Sequence, residues 1–434
     1  MAKPVNENKD APLEKQLWKS ADALRKNIDA AEYKHGVPLW LSHFTATSSI
    51  GRGLDQTLTA LHQRRAGLTP CEFDTVDLPT FIGEVPGVDA VELPAHLTDF
   101  DCRNNRLALL GLLQDGFAEA VHAAITKYGA QRVGVFLGTS TAGILQTELA
   151  YRRRDPASGA LPADFIYGTT HNTYSVAAFT RQYFGLSGPA VVVSSACSSS
   201  AKVFASARRM LAAGLIDAAL VGGVDSLCLT TLYGFNSLGL TSEQACRPFD
   251  AERNGISIGE AAAFALLERV PEHLDADAVL LLGIGESSDA YHMSSPHPEG
   301  LGARMAMQDA LKMAGLNPTE INYINLHGTA TQSNDAAEGK AVQFVFGLET
   351  PCSSTKGATG HTLGAAGGVE AVICALALRH GLTPAGLNTQ QLDPTFTLDY
   401  VLENRAQPVA RALSNSFGFG GTNCSVIFGR ADSL

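Results

Sequence analysis

The sequence predicts an α/β fold built as an internal duplication, and three observations carry that reading. Short apolar runs ending in glycine or serine recur as strands: "RVGVFLGTS" (132–140), "AVVVSS" (190–195) and "DAALVGGVDSL" (217–227). Alanine-rich helical stretches such as "AKVFASARRMLAAG" (201–214) lie between them. The same grammar then restarts near residue 285, where "AVLLLGIGESSDA" (278–290) leads into the helical "EGLGARMAMQDALKMAG" (299–315) and the strand-like "INYINLHGTAT" (321–331). The 42 glycines against two tryptophans suit close-packed layers with many tight turns. Two halves are expected, 37–285 and 286–434, with a site where they meet.

Along the chain, residues 1–36 differ from the rest. In "LEKQLWKSADALRKNIDAAEYKHG" (13–36), Leu13, Leu17, Ala21, Leu24, Ile28 and Ala31 form one helical stripe, and Gly36 supplies a stop. This stretch resembles the extreme N-terminus of the modification subunit of type I restriction DNA methyltransferases. No Asn-Pro-Pro-aromatic motif follows, so none of that activity carries over. The segment reads as an appended helical extension, with a docking helix as the rival. The chain closes with "ALSNSFGFGGTNCSVIFG" (412–429), a strand, a glycine-rich turn and a strand.

Composition narrows the function. The 434 residues are 45% hydrophobic and 17% charged, enough for a large core. A formal net charge of −11 argues against a nucleic-acid binder. Eight scattered cysteines without a C-x-x-C pair argue against structural zinc and a disulfide framework. No apolar run is expected to cross a membrane, the charged N-terminus is not a secretory signal, and a soluble cytoplasmic protein is the default.

Four stretches carry chemistry. Cys197 in "AVVVSSACSSS" (190–200) sits between a strand and a helix, where free backbone N–H groups and the helix dipole stabilise a thiolate. His327 lies at a strand end in "NLHGTATQSNDAAE" (325–338). Lys356 and His361 share the glycine-rich "SSTKGATGHTLGAAGGVEA" (353–371), and "SNSFGFGGTN" (414–423) brings backbone N–H groups close to a reacting atom. Singly, each has a plain structural reading: an inert thiol, a hydrogen-bonding histidine, a surface lysine, a hairpin turn. Together they do not.

These motifs, in this order and with "CRPFDAERNGISIGEAA" (246–262), resemble the β-ketoacyl-acyl-carrier-protein synthases of the thiolase superfamily over about residues 37–428. The resemblance implies a five-layered α/β/α/β/α thiolase-like fold, no metal or organic cofactor, and acyl carrier protein as partner. It implies a homodimer, with a heterodimer with a related subunit left open. Cys197 then corresponds to the nucleophile, His327 and His361 to the decarboxylation histidines, and Lys356 to the lysine beside them. Phe419 corresponds to the gate whose N–H joins that of Cys197 in the oxyanion hole. Thr329 and Thr331 correspond to pantetheine contacts, Thr141 to the bottom of the acyl pocket, and Phe417 to a substrate contact. Glu338, Glu370 and Asp335 correspond to supporting acids.

The chemistry explains these residue types independently. A thiolate both attacks a thioester and leaves again. The resulting oxyanion needs two fixed N–H donors. Loss of CO2 from a malonyl thioester makes an enolate, whose oxygen neutral histidines can hold; removing one such donor costs about 3–4 kcal/mol of barrier.

Some features depart from the family pattern. "GEAAA" (259–263) stands where relatives commonly read Gly-Glu-Gly-Ala-Gly, which would stiffen a turn there. "TQSND" (331–335) resembles condensing enzymes of aryl-polyene-type clusters and puts primary fatty-acid elongation in doubt. Ser199–Lys202 forms an S-x-x-K string without its companion motifs and reads as coincidence. Arg152, Arg153 and Arg154 read as a solvated face, or as a landing patch for an acidic carrier protein. The main rival is a thiolase acting on coenzyme A thioesters, which needs a second cysteine as base; Cys424 is nearby but opens an apolar strand. A chain-length factor usually lacks the cysteine that Cys197 supplies.

Overall fold

The computed structural model describes residues 36–433, so the extension expected over 1–36 lies outside the described residues apart from Gly36. The first half forms a sheet from β1 (Leu39–Ser48), β2 (Val133–Gly138), β3 (Ala190–Val193), β4 (Ala218–Asp225) and β5 (Ala261–Arg269), in the order β3-β2-β4-β5-β1. The second uses β6 (Val279–Ser288), β7 (Tyr323–Asn325), β8 (Cys352–Ser353), β9 (Arg411–Gly418) and β10 (Thr422–Arg430), in the order β8-β7-β9-β10-β6. The second order is the first shifted by five. In both sheets the first two pairings are parallel and the last two antiparallel. The sheets join where Leu39–Leu41 of β1 pairs with Val279–Leu281 of β6.

Helices fill three further layers: α1 (Arg103–Leu112), α2 (Phe117–Tyr128), α3 (Ser175–Tyr183), α4 (Ser199–Ala212), α5 (Leu301–Ala314), α6 (Gln332–Phe346) and α7 (Ala366–His380). The first three cover the outer face of the first sheet, and α5 and α6 that of the second. Helices α4 and α7 lie between the sheets, which gives five layers. Helix α7 is buried around its whole circumference from Ala366 to Leu378, as a central helix must be, with Glu370 its one acid there. At Gly367 a Cβ would stand 2.7 Å from the Ala201 nitrogen of α4, so glycine permits the close crossing.

The structure corrects several expectations. By length and composition Leu363–His380 could cross a membrane, but 89% of it is buried inside the molecule. The division at 285/286 falls inside β6, which pairs with β10 from Val279 to Ser288, so the repeat starts before Val279. "GEAAA" is extended backbone, not a turn, spanning Ile258–Gly259 and the start of β5. Its alanines pack in the core, and Glu260 is fully buried against Arg103 at 2.6 Å. The strand at 321–331 stops at Asn325 because the Glu338 carboxylate, not a neighbouring strand, takes the N–H groups of His327 (2.8 Å) and Gly328 (2.7 Å).

Candidate active site

Cys197 sits on a strained elbow between β3 and α4. Ala196 holds φ at +52°, a left-handed conformation that costs a non-glycine residue about 1–3 kcal/mol. The adjacent serines brace it. Ser199 Oγ donates to the Ala196 carbonyl at 2.6 Å and accepts the Ser195 N–H at 2.9 Å, while Ser200 Oγ accepts the Gly368 N–H of α7 at 2.9 Å. Ser199 therefore has a structural partner, and Lys202 pairs with Glu286 at 3.3 Å, so the S-x-x-K string is not a catalytic pair.

Three loops from the second half converge on this elbow. His361 places Nε2 3.0 Å from Cys197 Sγ. Its ring stands edge-on to that of His327, with centroids 5.3 Å apart, and Phe417 lies 5.8 Å from His327 on another side. The Phe419 N–H is directed at the Cys197 sulfur. Cys197, His327, His361, Thr329, Thr331, Phe417 and Phe419 line one cavity.

Behind that lining, Lys356 Nζ donates to the His327 carbonyl at 2.6 Å, to Glu370 Oε1, and to His327 Nδ1 at 3.4 Å. An ammonium at Nδ1 leaves the ring proton on Nε2, so His327 presents a donor to the cavity. The Asn415 amide holds Glu338 at 3.1 Å. Asp335 accepts the Thr329 N–H at 3.0 Å and the Phe249 N–H at 2.8 Å, fixing the loop whose Thr329 and Thr331 hydroxyls meet at 2.9 Å.

Burial dominates the electrostatics. It pushes both histidines well below the ordinary imidazole value, with Lys356 adding to the effect, so both rings are neutral at pH 7. It raises Glu338 to about 7 against the pull of the Gly328 and His327 amides. The Cys197 thiol is pushed up to about 12 by burial, while Lys356 and the Phe419 N–H pull it down and Asp225 and Glu370 push it further up. Burial thus opposes the depression expected from the helix end, and the sulfur's side-chain partner is His361 Nε2.

The donor atoms of Cys197, His327 and His361 lie within 4.8 Å of one another, a spacing that a metal ion could use. Metal-bound histidines donate their other N–H to a carboxylate or carbonyl. His327 instead accepts at Nδ1 from a cation, and its Nε2–H is a hydrogen-bond donor, so the set does not fit a metal.

The comparisons with known proteins agree with this geometry. Residues 106–273 match the model of the beta-ketoacyl synthase N-terminal domain, and residues 278–390 that of its C-terminal domain. The chain is 32% identical over 409 residues to a 3-oxoacyl-[acyl-carrier-protein] synthase 2 of Vibrio cholerae, covering 88% of this chain and 96% of that protein. The chain belongs to the β-ketoacyl synthase family. Two solved structures are similar to it at a TM-score of 0.81. One is a ketosynthase in complex with its chain length factor from Xenorhabdus doucetiae (38% identity, 91% of this chain and 98% of that one). The other is a beta-ketoacyl synthase from Burkholderia phymatum (30%, 91% and 99%). The enzyme is an acyltransferase that performs a Claisen condensation in fatty-acid or polyketide biosynthesis.

Other candidate residues of this β-ketoacyl synthase fall outside the cavity lining. Thr141 does not line it: its hydroxyl donates to Asp225 Oδ1 at 2.9 Å and accepts the Ser226 N–H at 3.1 Å. Arg152 pairs with Asp74 at 2.8 Å and Arg153 with Asp164 at 2.9 Å, so two of the three arginines are partly neutralised. Cys424 is buried in β10 opposite Ser416 and Glu286 and lines no part of the cavity, so among the described residues no second thiol joins Cys197 there.

Two residues that sequence reading missed brace the Phe419 turn of the synthase. Phe235 packs against Phe419 with centroids 5.7 Å apart. Asp289 joins its N–H to the Gly421 carbonyl at 2.8 Å and accepts from the Asn423 amide at 2.9 Å, tying another loop to the Phe419 turn. The "GGTN" asparagine was the available signal; Asp289 lies more than 130 residues away and had none.

Proposed function

We propose that Cys197 carries the acyl group and that His327 and His361 hold the enolate, with acyl carrier protein delivering both thioesters. The observation that carries this reading is the contact of His361 Nε2 with Cys197 Sγ at 3.0 Å, with the neutral, lysine-backed His327 beside it. In the first half-reaction the Cys197 proton passes to His361 Nε2 and the sulfur attacks the acyl carbonyl. The oxyanion is held by the N–H groups of Phe419 and Cys197. The carrier thiolate leaves and takes the proton back from His361. In the second, the bond between the malonyl carboxylate and Cα breaks, and CO2 departs. The electron pair forms an enolate whose oxygen accepts from His327 Nε2–H and from His361, which carries its ring proton on Nε2 once the acylated sulfur has no proton to offer it. The enolate carbon attacks the acyl-Cys197 carbonyl, the acyl C–S bond breaks to release the β-ketoacyl-carrier protein, and the Cys197 thiolate takes up one proton from solvent water. Incubation with acyl-carrier protein should add one acyl mass to the wild type, mapped to the Cys197 peptide, and none to Cys197→Ser. An acyl group on another residue would overturn the assignment.

The pathway we propose is a specialised polyene or polyketide one. The "TQSND" stretch and the 38% identity to a ketosynthase solved with its chain length factor support it. The partner surface proposed is the outer edge of β3. Among the described residues β3 pairs only with β2, and Val191 is 38% exposed there. A second copy is the proposed occupant; native mass spectrometry of the protein alone should give twice the chain mass, whereas a monomer that dimerises only with a related subunit would establish the heterodimer.

A further inference from the structure

Asp225 ends β4, in the half that carries the nucleophile, and is fully buried. Its carboxylate collects six hydrogen bonds. Oδ1 accepts from the Thr139 hydroxyl (2.7 Å), the Ser140 N–H (2.8 Å), and the Thr141 N–H and hydroxyl (both 2.9 Å). Oδ2 accepts from the Ser140 hydroxyl and, across the two halves, from the Gly364 N–H.

Gly364 lies three residues beyond His361. Upstream, His361 is anchored by its own backbone, donating to the Ser257 carbonyl at 2.7 Å and accepting the Gly259 N–H at 2.9 Å. Downstream the chain turns through Leu363, whose φ of +51° is left-handed and unfavourable for a branched side chain. It then enters α7, which carries Glu370. A Cβ at position 364 would stand 2.7 Å from Asp225 Oδ2 and 2.8 Å from the Ser140 nitrogen, so glycine is what lets the turn reach the carboxylate.

We propose that Asp225 is a positioning residue that pins the 362–365 turn from the opposite half. It thereby holds the His361 ring on Cys197 and Glu370 on Lys356. The inference rests on the reading of His361 and Lys356 given above. Only a carboxylate satisfies the arrangement. The Ser140, Thr141 and Gly364 donors are backbone N–H groups that cannot turn into acceptors. An asparagine must aim its NH2 either at the first two or at Gly364. The Gly364 N–H also reaches the Ser140 hydroxyl at 3.1 Å, so giving up its bond to Asp225 is the smaller loss, and Asp225→Asn should loosen the His361 turn while keeping the 139–141 loop.

The test compares wild type, Asp225→Asn, Gly364→Ala and the double variant for decarboxylation of malonyl-carrier protein, each corrected for its folded fraction. The expected result is a fall in kcat of tenfold or more in each single variant with KM within about threefold. The double variant should be no worse than the poorer single one. Ser140→Ala is the milder probe should either variant fail to fold; it removes one hydroxyl from the same knot and should lower kcat several-fold. Variants that melt at lower temperature yet keep wild-type kcat per folded molecule would overturn the inference, as would losses that multiply in the double variant. A wild type that released no CO2 would overturn the reading of the site itself, so the two failures are distinguishable.

Discussion

A thiol held near 12 is almost wholly protonated at neutral pH, so the proposed reaction of Cys197 needs the acceptor beside it. Iodoacetamide labelling of Cys197 should therefore be slow at pH 7 and keep rising beyond the usual thiol value of about 8.5. His361→Ala should slow it further at neutral pH. A plateau below pH 8.5 would mean that the helix end outweighs burial. The histidines shift in the other direction. With both pKa values well below the ordinary value of about 6.5, lowering the pH through 6.5 leaves them neutral and able to serve. The decarboxylation rate should show no inflection there, and one that vanished in His327→Gln would contradict the assignment. Thr141 makes a different prediction. Its hydroxyl is the acceptor for the Ser226 N–H, so Thr141→Val leaves a buried donor unpaired at a cost of about 1–3 kcal/mol, read by denaturant titration. The structure brings together Cys197, His327, His361 and Lys356, which were legible as residue types at motif spacing. The protonation state of the sulfur was not, because burial comes from elements distant in sequence.

At the scale of elements, the strands and helices with unbroken periodicity were read correctly: β2, β3, β4, α4, α5 and the β9–β10 hairpin. The misread segments are those whose backbone partners come from far away. "INYINLHGTAT" has strand composition, yet its second half is captured by Glu338 from α6. "GEAAA" looks like a turn beside its glycine-rich relatives, yet β1 and β4 flank it and draw it into a strand. The contact between α4 and α7 is the element interaction that matters most for the site, since one begins beside Cys197 and the other carries Glu370. Gly367→Ala would place a methyl group 2.7 Å from the Ala201 nitrogen and 2.8 Å from its Cβ. It should cost about 1–3 kcal/mol by overpacking and lower condensation activity as well. Thermal melting and turnover measured on one preparation check this; wild-type values for both would mean that the helices can separate freely.

For the whole molecule, the repeat of strand order explains why the site lies between halves. In each half the site residues follow parallel strands: Cys197 comes after β3, and His327, His361 and Phe419 come after β7, β8 and β9. The restart of the strand–helix grammar near residue 285 made the duplication legible, though not its boundary, which β6 carries across. The central claim is that the halves divide the chemistry: sulfur for the acyl group, imidazoles for the enolate. Release of CO2 from malonyl-carrier protein tests it most directly, using wild type, Cys197→Ala and His327→Ala. The account predicts that Cys197→Ala loses condensation but still decarboxylates. It predicts that His327→Ala can be acylated but releases CO2 about a hundred- to a thousandfold more slowly, the usual size for one lost oxyanion donor. Equal decarboxylation by His327→Ala and wild type, or none by wild type and Cys197→Ala alike, would contradict it.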